Sequence, residues 1–174
     1  DSMMCGITCL QMVCKHFGRE VSLRTLSKLC VATSEGVSML GVNEAANKLG
    51  LRTMCARTDF DTLSKATLPC VLHWNQNHFV VLYKVRKGRI FYVADPGKGL
   101  VKYNLEEFGK HWVSTASQGE EKGIAMFLEP TLEFYSHKVD NEEEDGSPRS
   151  FQFLFGYIKQ YRKYFGQIVL GCTW

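Results

Sequence analysis

Apolar positions along this chain follow two main periods. Up to about residue 50 they recur three and four apart, and from Pro69 they alternate every second residue. Residues 5–17 set Cys5, Cys9, Met12, Val13 and Phe17 at the spacing of a buried helix face, and Gly18 supplies a stop. A second helix is predicted over 22–30, with Ser22 as cap and Leu23, Leu26 and Leu29 on one face; Ser-Glu-Gly at 34–36 breaks it. A third follows Ser38 to about Leu49 and ends at Gly50, with Leu40, Ala45, Ala46 and Leu49 as its buried side. The three helices read as one compact layer.

Residues 51–57 alternate as a short strand, and 59–63 begin a helical turn or two. Beyond Pro69, residues 70–74, 78–85 and 89–94 are strand-like, separated by the turn sequences Asn75-Gln76-Asn77 and Arg86-Lys87-Gly88, which predicts an antiparallel meander. Residues 104–108 resemble a capped short helix, and 123–129 a last strand closing the sheet. Helices first and antiparallel strands second predict an α+β layer architecture.

This pattern places a domain at residues 1–130. An acidic linker is predicted at 131–149, where Asp-Asn-Glu-Glu-Glu-Asp precedes Gly-Ser-Pro. Residues 150–174 are aromatic and basic, the composition of an amphipathic helix at a membrane interface, and they read as the start of a truncated transmembrane domain. The apolar run 165–174 is about half the roughly 20 residues that a spanning helix needs.

Composition narrows the class. At 174 residues, 45% hydrophobic and 22% charged, the chain fits one globular domain with a real core plus an appended segment. A net charge of +3, evenly spread, argues against a nucleic-acid partner. Seven cysteines, an odd number without a CxxC pair, read as reduced thiols instead of a disulfide framework. Asp1-Ser2-Met3-Met4 lacks the basic and apolar regions of a secretory signal, and the absence of an initiator Met creates the expectation of residues upstream.

Candidate chemistry comes from three stretches in order. Met4-Cys5-Gly6 puts a thiol where a helix begins, and unpaired backbone N–H groups there lower a thiol pKa. Gly6 would let a substrate backbone approach. His78 stands in an apolar strand before Phe79-Val80-Val81, and Asp95 opens Asp95-Pro96-Gly97 at the end of another strand, where a carboxylate can hold an imidazole tautomer. Singly each has a plain reading: a buried thiol, a core histidine, a turn. Cys9, Cys14, Cys30, Cys55 and Cys70 keep the buried reading. His16, His73, His111 and His137 have no visible partners and are assigned to surface or packing. Zinc held by Cys5, Cys9 and His78 lacks any supporting metal-ligand spacing, and no Walker-type phosphate loop occurs.

Taken together, Cys5-Gly6-x-x-Cys9-Leu10, Phe17-Gly18, Leu40-Gly41 leading into Glu44-Ala45-Ala46 and Leu49-Gly50-Leu51, His78-Phe79-Val80-Val81-Leu82 and Asp95-Pro96-x-x-Gly99 resemble one family. It is the papain-like cysteine peptidase domain at the N-terminus of bacteriocin-type ABC exporters, which removes double-glycine leader peptides. The resemblance covers residues 1 to about 130. It implies a papain-like fold with N-terminal helices packed on an antiparallel sheet, Cys5 as nucleophile, His78 as general base and acid, and Asp95 as the residue orienting His78. It further implies no cofactor in this domain, with ATP belonging to the transporter portion. The implied partners are a leader peptide, the transmembrane and ATPase domains of a dimeric exporter, and the membrane surface through 150–174. The implied location is the cytoplasmic face of the bacterial cell membrane.

Two departures accompany it. Met4 stands where the family usually has an acidic or amide residue, and the family's oxyanion-hole Gln falls at a position ahead of Asp1; Gln11 is on the wrong side of Cys5 to replace it. Two other functions stay open on these residues: a non-cleaving peptidase-like module that docks the export substrate, and a thiol hydrolase or acyltransferase on the same fold.

Overall fold

The computed structural model describes residues 2–30 and 38–136. Residues 137–149 of the expected linker, His137 among them, and the expected 150–174 helix lie outside them, while residues 131–136 of that linker are described. Helices α1 (Ser2–His16), α2 (Leu23–Leu29) and α3 (Met39–Lys48) come first. Then come β1 (Leu51–Thr58), α4 (Phe60–Lys65), β2 (Cys70–Trp74), β3 (His78–Arg86) and β4 (Ile90–Asp95). The chain continues through β5 (Gly99–Asn104), α5 (Leu105–Trp112), β6 (Val113–Ser117), β7 (Glu120–Pro130) and α6 (Leu132–Ser136).

The helix boundaries follow from local chemistry. Ser22, Ser38, Asp59 and Asn104 each accept a hydrogen bond from the backbone N–H three residues on, satisfying a donor that the helix itself leaves unpaired. Gly18 and Gly50 end α1 and α3 at φ of +96° and +94°, a conformation that costs a residue with a Cβ and is free to glycine.

The sheet is antiparallel in the order β1-β7-β2-β3-β4-β5, with β6 pairing on β7. The predicted meander is present and gains a fourth strand, β5, because Gly99 to Asn104 pair with β4 from Asp95 to Ile90. Strand β7 does not close the sheet at an edge. It lies inside, paired with β1 on one side and β2 on the other.

Period-two alternation then divides the core in two. Val71, Phe79, Val81, Tyr83, Tyr92, Ala94, Met126 and Leu128 face α1, α2 and α3. Cys70, Leu72, Trp74, Val80, Leu82, Phe91, Val93 and Tyr103 share the opposite side with Leu63 of α4 and Phe108 and Trp112 of α5. One expected core residue of α3 is misplaced: Leu40 is 64% exposed, and Val42 is the buried one. Packing continues past Pro130, where α6 returns Phe134 to the helical side. Arg19 secures it, donating to the carbonyls of Leu49 and Phe134 at 3.1 Å each. Among the described residues no helix is long and apolar enough to cross a membrane.

Candidate active site

Helix α1 lies on β3, and Gly6 is one of its points of contact. A Cβ there would stand 2.8 Å from Val42 Cγ2 and 3.3 Å from Phe79 Cδ2. Gly6 is buried, so the sequence expectation that it lies open to a substrate backbone is corrected. Its missing side chain lets the helix close on the strand. Cys5 precedes Gly6 on α1 and His78 precedes Phe79 on β3, so the contact of Gly6 with the Phe79 ring stands next in sequence to both candidate residues.

His78 is the first residue of β3 and Asp95 the last of β4. Antiparallel pairing of these strands sets the two ends side by side, and His78 Nε2 lies 2.7 Å from Asp95 Oδ1. Asp95 is only 3% exposed. The same Oδ1 accepts the backbone N–H of Gly97 at 2.8 Å, and Lys98 N–H bonds the Asp95 carbonyl at 3.1 Å. Thus the Asp-Pro-Gly turn fixes the carboxylate, and the carboxylate fixes the ring. An ionised carboxylate only accepts, so Nε2 carries the proton. In the neutral ring Nδ1 then holds a lone pair and is free to take a proton.

Cys5 is half-buried in the first turn of α1. The helix starts at Ser2, ahead of the periodic residues, and the expected drop in thiol pKa is not what the site produces. Burial pushes the Cys5 thiol up, and the Asp95 charge adds to the rise. Desolvation disfavours the thiolate and is the largest influence on this thiol. Burial thus leaves the activation of Cys5 to a base close by.

The other thiols divide by environment. Cys9, Cys14 and Cys70 are buried core residues, and burial pushes all three thiols up, Cys14 to about 12. Cys30 is buried as well. Cys55 departs from the expectation: it is exposed on β1, its Sγ 3.8 Å from Asn43 Oδ1. Gln11 donates to the Val21 carbonyl at 3.0 Å in the core and serves the α1–α2 connection. His16 packs edge-on against Phe17 and His73 against Phe79. His111 has a partner the sequence did not disclose, Asn75. Among the described residues no group of three His, Cys, Asp or Glu side chains is placed to hold a metal.

The Peptidase C39 family profile matches residues 1–118. The chain is 33% identical over 139 residues to the colicin V secretion/processing ATP-binding protein of Escherichia coli, covering 80% of this chain and 18% of the relative. It is 30% identical over 166 residues to the lactococcin-G-processing and transport ATP-binding protein of Lactococcus lactis, covering 92% and 21%. The chain thus spans about a fifth of the length of these curated relatives. Among solved structures it superposes, with a TM-score of 0.64 at 33% identity, on a double glycine motif protease from an AMS/PCAT transporter in complex with the leader peptide, over 75% of this chain and 87% of that one. The profile takes in the helix of Cys5 and both strands that carry His78 and Asp95, and on that span the chain belongs to the Peptidase C39 family of cysteine peptidases.

Proposed function

We propose that this domain cleaves a leader peptide after a double glycine, with Cys5 as nucleophile, His78 as general base and acid and Asp95 orienting His78. The observation that carries the reading is the 2.7 Å bond from His78 Nε2 to a buried Asp95, which leaves Nδ1 as a proton acceptor. The Cys5 proton passes to Nδ1 as sulfur adds to the carbonyl carbon of the second glycine. The imidazolium, stabilised by Asp95, then gives that proton to the departing amine, the C–N bond breaks and a thioester remains. Water adds to the thioester with its proton passing to His78, and sulfur leaves as the leader acid is released. A residue with a Cβ at the scissile position would hold its backbone away from the wall formed by α1 and β3, which gives the preference for glycine.

The wider setting is part of the proposal. The domain works without a cofactor, at the cytoplasmic face of the membrane, as the front of a dimeric exporter whose ATPase portion uses ATP. Residues 150–174 lead onto the membrane surface. The test is cleavage of a synthetic double-glycine leader by the 174-residue chain and by the full natural protein, each with and without Cys5→Ala. Cleavage after the second glycine that falls by about 10⁴-fold or more in Cys5→Ala supports the reading. Binding without cleavage by the natural protein overturns it in favour of a docking module. Equal cleavage of leaders with and without glycine points to a general thiol hydrolase.

A further inference from the structure

We infer that His111, on the opposite side of the sheet from Cys5, is a positioning residue for His78 and acts through the β2–β3 turn. This rests on the reading of His78 as the general base. The turn is an expensive one. Asn75 and Gln76 both have left-handed backbones, at φ of 48° and 69°, and neither is glycine. Such residues persist only where their surroundings hold them. This tight conformation decides where β3 begins, because Trp74 and His78 form the last pair of the β2–β3 ladder.

One residue of α5 holds the turn three ways. The Asn75 N–H donates to the His111 carbonyl at 2.9 Å, and His111 Nδ1 donates to Asn75 Oδ1 at 2.8 Å. The His111 ring also stacks on Trp74, centroids 5.0 Å apart and planes 11° from parallel, with Tyr103 tilted against both rings at 5.4 Å. His111 therefore grips residues 74 and 75 at once, and residue 78 is the cross-strand partner of 74. The backbone bond would survive substitution, but the side-chain bond and the stack need a flat ring with a donor at Nδ1. The amide oxygen only accepts, so Nδ1 keeps its proton in the neutral and the charged ring alike.

His111→Phe keeps the stack and deletes the donor. In leader cleavage by the natural protein it is expected to lower kcat about 10- to 100-fold with KM unchanged, the size of a small misplacement of a reacting group. Asn75→Ala should give the same loss, and adding His111→Phe to it should cost little more, since both remove one bond. A second readout does not depend on cleavage: the proton NMR signal of the His78 Nε2–H held by Asp95 is expected to shift and exchange faster with water in His111→Phe. An unmoved His78 signal, or losses that multiply in the double variant, overturns the inference. Should the unsubstituted protein cleave nothing, the peptidase reading fails, and the His78 signal still decides the role of His111.

Discussion

The two sides of the sheet are packed with different materials. On the helical side the contacts are small and close: Gly6 against Val42 and Phe79, with Cys9, Val13, Ala45 and Ala46 all fully buried. The opposite side is filled with rings. Phe91 stacks on Phe108 at 4.1 Å, and Phe60, Trp74 and Trp112 surround them edge-on or tilted. Small residues let backbones approach and leave no slack, whereas aromatic rings remove much more apolar area from water per side chain. The close side carries the contact of Gly6 with the Phe79 ring, next in sequence to Cys5 and His78. The aromatic side supplies much of the stability and, through His111, braces the turn from behind.

That division is broken most directly on the aromatic side. Phe91→Ala is expected to cost about 3–5 kcal/mol in urea unfolding while kcat per folded molecule holds. A fall in kcat at full folding would mean that the aromatic layer also tunes the thiol side. Next in size, Gly6→Ala adds one methyl into a gap of 2.8 Å from Val42 Cγ2, with an expected loss of about 1–3 kcal/mol and a lower kcat at unchanged KM. Val42→Ala in the same chain should restore much of both, and failure to do so would separate the methyl from the site.

A smaller effect comes from pH. Burial lowers the pKa of His16, at the end of α1, from its ordinary 6.5 to about 4. As pH falls through this window the unfolded chain takes the proton first, so stability is full above about pH 6.5 and is lost toward pH 4. The loss is at most about 2–3 kcal/mol after allowing for partial exposure. Urea midpoints at pH 7 and 4.5 should differ less in His16→Gln than in the unsubstituted chain, and an equal difference would refute this assignment. Smallest of all, Leu40→Ser on α3 should change stability by under about 0.5 kcal/mol, because Leu40 stands in solvent. A larger cost would restore Leu40 to the core side.

Legibility followed the range of each interaction. Caps at Ser22 and Ser38 and stops at Gly18 and Gly50 were readable because each acts within a few residues of itself. Strand β5 was missed because one residue in its six, Tyr103, is buried, so it shows no alternation; pairing with β4 makes it a strand. The choice between Leu40 and Val42 for the core of α3 turned on how that helix is rotated against α1, which a two-turn pattern of apolar residues does not specify.

The order Cys5, His78, Asp95, the change from helical to strand periodicity and the family likeness were carried by the sequence alone. Only the tertiary structure decided that one Asp95 oxygen serves both its own turn and the His78 ring, that burial raises the Cys5 thiol, that β7 lies inside the sheet, and that Gly6 and His111 bear on the site. These depend on contacts between residues far apart in the chain, and a distance of a few ångströms across such contacts has no signature in local spacing. The reason is physical: burial, desolvation and cross-strand hydrogen bonds are properties of surroundings, and surroundings exist only once the chain has folded.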